Sequence, residues 1–339
     1  MEVVFFLAFA ILTVLASVGP AVAYSLVVWW LDRYEKEPWG LLAATFFWGA
    51  IPAIFLALAA EFIVGIPFAG FLGEAASDVI QGSVVAPIVE ESVKGVAILM
   101  IFLIFRREFD GVLDGIVYGA LVGFGFAMTE NALYFLGALM EGGAASWAAL
   151  VFVRTLVFGL NHGLFSGIVG VGFGYAAIAR GAWKRWLGPL VALVGAIVVH
   201  AVHNLSVTLG AQLCWPILIS LVNDWGGVMV LAVIVFLSWG RERRWITAEL
   251  GEEVSASTLS QEEYEVAASY VGRVGAQWRA FSSEGMKAAR RVRRLYQLVT
   301  ELAFAKRRLR RASANKTDER IVCRLRDEIA AMKEQIAER

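Results

Sequence analysis

Long apolar runs separated by short charged connections fill roughly the first two thirds of the chain. A bilayer's hydrocarbon core takes about 20 apolar residues of helix, and seven stretches reach that length. They run from Val3 to Leu31, Trp39 to Val64, Val79 to Phe105, Val112 to Leu136, Trp147 to Ile178, Leu187 to Ala211 and Trp215 to Trp239. The pattern predicts an all-α fold, a polytopic transmembrane bundle. The fifth stretch is too long for one simple span, and Arg154 near its start suggests an interfacial lead-in ahead of the buried helix.

Orientation follows from Lys and Arg, which keep short loops in the cytoplasm. The odd connections carry Arg33 and Lys36, then Arg106 and Arg107, then Arg180, Lys184 and Arg185, and the chain leaves its last span at Arg241, Arg243 and Arg244. The even connections carry none apart from Arg154. The expected arrangement is therefore a multi-pass protein of the cell membrane with its N-terminus outside and its C-terminus cytoplasmic. Trp29, Trp30, Trp39, Trp147, Trp215 and Trp239 fall near predicted span ends, where amphipathic rings favour the headgroup region.

Composition sharpens this picture. Of 339 residues, 59% are hydrophobic and 18% charged, with a mean hydropathy of +0.67, which excludes an ordinary soluble globule. The net charge of zero averages an almost uncharged membrane part, residues 1–240, with a charged helical tail, residues 241–339. From Met286 to Arg311 ten Lys and Arg stand against the single Glu301, with Val292, Leu295, Leu298, Val299, Leu302 and Leu309 at helical spacing. This basic amphipathic helix is expected either to close a solvated hairpin with residues 321–336 or to dock on anionic lipid. No nucleic-acid partner is expected. Cys214 and Cys323 would lie on opposite sides of the bilayer and are expected free, and the apolar N-terminus reads as a retained first span rather than a removed signal.

Ionisable side chains inside spans are costly and tend to face a protein interior or a water-filled cavity. Here they are Glu61, Glu90, Glu91, Lys94, Glu130, His162, His200 and His203, which include every histidine in the chain. In EESVK, Glu90 and Lys94 are one helical turn apart with the acid first, the favourable order for a pair, which leaves Glu91 without a local cation. FAMTEN places Phe126 and Glu130 on one face with Asn131 beside the acid. HAVHN places His200 and Asn204 one turn apart.

Glu and His ligands with an open position for water are the usual means of holding hydrolytic zinc, and a further carboxylate can act as general base. The inventory supplies Glu130, His162 and His200 as metal ligands, Glu90 or Glu91 as base, and Asn204 as an orienting or oxyanion partner. The zincin pattern HExxH, a GxSxG serine motif and paired intramembrane aspartates are all absent. Glycines at four-residue spacing around these groups allow close approach of helices in lipid. A proton- or metal-coupled transporter is the alternative, since buried Glu and His also build relays, but no internal repeat supports it. A non-catalytic membrane scaffold is the third reading.

On EESVK, FAMTEN, His162 and HAVHN, in that order and on separate spans, the chain resembles the PrsW family of intramembrane proteases, related to the CAAX prenyl protease and bacteriocin-immunity group. DRYEKEP at Asp32 to Pro38 and FDGVLDGIVYG ahead of FAMTEN look like flanking signatures of that family, and the resemblance covers about residues 24 to 210. It implies that Glu90, Glu91, Glu130, His162 and His200 form the functional set. It also implies cleavage of a membrane-anchored protein, with site-1 cleavage of an anti-sigma factor as the family's best-known role. Residue counts along each span bring these groups together in the outer half of the membrane, at 1.5 Å of rise per residue. Scissile bonds are therefore expected at or just outside the outer surface, with the tail dispensable for chemistry.

Overall fold

A computed structural model describes residues 2–71, 73–311 and 316–337. Its regular structure is helical, with no strand among the described residues. Five helical runs are long and apolar enough to cross a bilayer: Leu7–Leu31, Trp39–Val64, Val112–Ile178, Ala182–Leu213 and Pro216–Ser255. The third of these is 67 residues long, enough for two passages at 1.5 Å per residue. Apolar side chains such as Leu15, Phe55 and Val222 point outward, as they do where the surrounding medium is lipid. Cys214 and Cys323 are free thiols.

The chain divides into two compact units, one of residues 1–32 and 37–235, the other of residues 33–36 and 236–339. The first contains α1 (Glu2–Leu31), α2 (Trp39–Trp48), α3 (Ile54–Phe71), α4 (Glu74–Ile80), α5 (Ala86–Ile104), α6 (Val112–Phe152), α7 (Asn161–Ile178), α8 (Ala182–Leu213) and the apolar part of α9 (Pro216–Ser255). The seven predicted stretches map onto these helices with two changes. The expected fourth and fifth spans join in the long α6, which kinks where Gly143 takes φ 71°, ψ −164°, a left-handed conformation open to a residue without Cβ. The fifth stretch then breaks at Val153–Val157, and Arg154 falls in that break ahead of α7.

Both flanking signatures have structural work. Asp114 Oδ2 accepts from the backbone N–H groups of Asp110 (2.6 Å) and Gly111 (2.7 Å), capping the start of α6. Glu37 accepts from the Tyr118 hydroxyl, and both are buried, fixing the connection after α1 to α6.

Three short segments wind as π-helix: Gly49–Ala53, Gln81–Val85 and Val153–Val157. A π-turn frees backbone groups that need new partners. Side chains supply them: Ala50 O accepts from Thr129 (2.6 Å), Gly82 O from Asn204 (2.8 Å) and Thr155 O from Tyr24 (2.6 Å).

The second unit comprises the end of α9 with α10 (Gln261–Ala267), α11 (Tyr270–Glu284), α12 (Met286–Arg311) and α13 (Lys316–Ala337). Its core contains Ile246, Leu250, Leu298, Val299, Leu302, Leu325 and Ile329, together with Tyr34. Buried Glu253 receives Lys306 Nζ at 2.6 Å and a two-point contact from Arg326 at 2.7 and 3.0 Å.

Candidate metal centre

α5 supplies Glu90, Glu91 and Lys94, all buried. The expectation of one held and one available glutamate is overturned. Lys94 Nζ lies 3.2 Å from Glu90 Oε2 and 2.5 Å from Glu91 Oε1. The physical reason is that residues three apart share a helix face as well as residues four apart. The same ammonium sits 3.4 Å from His162 Nδ1 and 4.2 Å from the centre of the Phe126 ring.

Glu91, with no exposure, is the most constrained of the acids. Besides Lys94 it meets His200 Nδ1 at 3.0 Å and accepts from Ser166 Oγ at 3.3 Å. A carboxylate only accepts, so the His200 proton belongs on Nδ1 and the Nε2 lone pair is left free. Stacking of the His200 ring on Phe165, centroids 4.4 Å apart and 18° from parallel, fixes its plane.

His162 is held in the complementary way. Its Nε2 lies 2.8 Å from Glu130 Oε2, so the proton belongs there and Nδ1 is the acceptor nitrogen, facing the Lys94 ammonium. Glu130 Oε2 also meets Arg154 Nη2 at 2.5 Å, and Arg154 Nε donates to Asn131 Oδ1 at 2.6 Å. Both contacts of Glu130 use Oε2, which leaves Oε1 for another partner. α6 and α7 approach closely here because Gly123 has no side chain: a Cβ would lie 2.0 Å from the His162 carbonyl oxygen.

One ligand atom each from Glu90, His162 and His200 lies within 4.8 Å of the others. Two imidazoles and a carboxylate are a donor set suited to a divalent transition metal. Each imidazole donates its other N–H to a carboxylate, the arrangement that orients metal-binding histidines. The residues present therefore fit a metal. Glu130 stands beside this trio, on the far nitrogen of His162. Asn204 donates to Gly82 O, which ties α8 to the π-turn leading into α5.

Sequence reasoning passed over four participants. Ser166 carries no distinguishing pattern, and Arg154 was read only as a topology signal. Asp224 and Ser220 on α9 are buried, and each lies 2.7 Å from His203 Nδ1, while Asn161 reaches His203 Nε2 at 3.1 Å. Asp224 is an acid inside a predicted span, so the rule applied to the other ionisable groups would have found it.

Residues 37–239 match the model of a family described as PrsW family intramembrane metalloprotease. A protein named Protease PrsW from Geobacillus kaustophilus is 36% identical over 169 residues, covering 48% of this chain and 66% of its own length. One of the same name from Bacillus subtilis is 31% identical over 212 residues, covering 59% of this chain and 84% of its own. A third from Clostridioides difficile is 38% identical over 104 residues, covering 30% and 42%. No solved structure matches.

Proposed function

The chain belongs to the PrsW family of intramembrane metalloproteases, and from that premise we propose that it hydrolyses a membrane-anchored protein with Glu90, His162 and His200 holding a zinc ion. The observation that carries the assignment is the convergence of those three donors, each histidine having its second nitrogen committed to a carboxylate. Zinc would supply Lewis-acid polarisation of the scissile carbonyl and of water.

The chain's own groups do the rest. Glu91 fixes the tautomer and plane of His200, and Lys94 offsets the paired acids of α5 in a water-poor interior. Glu130 Oε1 accepts the proton of the attacking water, while Arg154 holds Oε2 and keeps the carboxylate aimed. Glu130 is the acid with most access, 15% exposed at its side chain against 7% for Glu90 and none for Glu91. Asn204 positions α8 against α5 rather than touching substrate.

The membrane-anchored substrate is proposed to be an anti-sigma factor cut beside its span on the outer side. Helices fray there, and backbone groups need not be exposed to lipid. The same reading sets the N-terminus outside and the tail in the cytoplasm.

Metal analysis paired with a cleavage assay tests the division of roles. Glu90→Gln, His162→Ala and His200→Ala should each lose bound zinc, whereas Glu130→Gln should keep it and lose cleavage by about 10²- to 10⁴-fold. Retention of zinc in Glu90→Gln with its loss in Glu130→Gln would exchange the roles of those two acids.

A further inference from the structure

The basic amphipathic helix expected either to form a hairpin or to dock on lipid is α12, and its apolar residues Leu295, Leu298, Val299 and Leu302 take the first course, packing with Val322, Leu325 and Ile329 in the core of the second unit. The exposed apolar face of that unit belongs to α11. Val271, Val274, Trp278 and Phe281 recur at three- and four-residue spacing, which places them within an arc of roughly 80°. They are 78%, 46%, 67% and 40% exposed. Gly275 and Ser282, beside that arc, are small and uncharged, and Arg273 and Arg279 stand about 80° beyond its two edges, the first buried and the second exposed. Cations border the face: Arg279 flanks it, and Lys287 and Arg290 are exposed in the first turns of α12.

What the first turn of α11 grips shows where it lies. Arg273 Nη2 donates to the carbonyl oxygen of Arg33 at 2.7 Å, and its guanidinium lies 4.7 Å from the centre of the Tyr34 ring. Arg33 in turn lies 4.8 Å from the Tyr270 ring and 3.5 Å from the Trp239 ring. Arg33 and Tyr34 stand between the end of α1 at Leu31 and the start of α2 at Trp39. Trp239 closes the apolar part of α9. The N-terminus of α11 thus holds residues that adjoin the candidate spans Leu7–Leu31 and Trp39–Val64 and the apolar part of α9, which makes a bilayer surface the natural partner of its apolar face.

We propose that the Val271–Phe281 face of α11 inserts into the headgroup–acyl boundary of an anionic bilayer, with Arg279, Lys287 and Arg290 at the level of the lipid phosphates. Trp and Phe favour that boundary, and a narrow apolar arc bordered by Lys and Arg is the pattern of a helix lying in it. Each flanking cation adds attraction to anionic headgroups. The site goes beyond the proteolytic reading and depends on none of its residues.

Spin labelling of the full chain tests it. In a Cys214→Ser, Cys323→Ser background, Val274→Cys carries a nitroxide, and the protein is placed in nanodiscs of phosphatidylcholine with a minor share of phosphatidylglycerol. Collisions with oxygen should exceed those with a water-soluble nickel chelate, with a ratio about tenfold above that of a label at Ser283→Cys. Equal ratios at the two positions, or shielding of position 274 from both reagents as a protein partner or second copy would give, overturn the proposal. A lipid-partitioned carbene photolabel makes the same test on the unmodified chain. Adducts should appear within Tyr270–Glu284, and their absence there refutes insertion.

Discussion

Gly123→Ala is a one-carbon perturbation whose effect can be worked from the packing of α6 on α7. The added Cβ would lie 2.0 Å from the His162 carbonyl oxygen and 2.4 Å from its carbon, whereas ordinary contact begins at 3.4 Å. Backbone atoms cannot rotate away as a side-chain tip can, so the helices must separate by about 1.4 Å at this point. Overpacking of this kind costs about 1–3 kcal/mol, which a bundle with many other contacts survives. The site is more sensitive, because a displacement near 1 Å at a reacting centre costs about 100-fold in rate, and His162 stands where the wedge is driven. The expected outcome is a folded protein whose cleavage falls about 100-fold. Gly137→Ala on the same helix is the control: nothing lies within 4 Å of a Cβ there, and activity should be unchanged. The assay is cleavage of a membrane-anchored reporter in proteoliposomes, with thermal unfolding followed alongside. Gly123→Ala activity within a few-fold of the parent, at a normal melting temperature, would refute the claim that this contact sets the position of His162.

Two further outcomes are expected. Asp224→Ala removes the anchor of His203 and, through His203, a partner of Asn161, the residue preceding His162; kcat should fall about 10- to 100-fold with KM unchanged, whereas a rise in KM alone would make the cluster a substrate contact instead. Glu253→Gln leaves Arg326 without its carboxylate and Lys306 with Glu252 alone and should destabilise the second unit by about 1.5–3 kcal/mol, seen as faster proteolysis of the tail with cleavage of substrate retained. Loss of cleavage in that variant would show that the tail serves the chemical step.

The membrane character, the helical class and the set of polar residues were legible in the sequence because lipid imposes simple constraints on apolar length and makes each buried charge conspicuous. Partnership was less legible. The order of Glu90 and Lys94 pointed to one ion pair, but Glu91, three residues from Lys94, competes for the same ammonium and comes closer. The sequence points to Glu130 as a ligand and to Glu90 or Glu91 as the base, because it shows neither the arrival of Arg154 beside Glu130 nor the closeness of Glu90 to both histidines. Arg154 reaches Glu130 from a π-turn, and no composition signal marks Gly49–Ala53, Gln81–Val85 or Val153–Val157 as wider than an α-helix. Of the two readings of the basic helix, the hairpin with residues 321–336 is the one the structure forms. Hydrophobic periodicity shows that α12 has an apolar face, but other helices cover that face, and the uncovered one on α11 is shorter and less basic.

The inclusion of Arg33 to Lys36 in the second unit has a topological consequence. On the proposed topology the second unit lies outside the lipid on one side of the membrane, and the chain from Lys36 to Phe236 begins and ends there. It can do so only by crossing an even number of times. By length and composition Trp39–Val64, Ala182–Leu213 and the apolar part of α9 each suffice for one passage and the 67-residue run Val112–Ile178 for two, an odd total. On the proposed topology the passage that restores parity falls to α5, the helix that Glu90, Glu91 and Lys94 make rich in charge. On that topology its acids ride on a full traverse rather than on a re-entrant hairpin, and α4 and α6, which flank α5, have their facing ends on opposite shores.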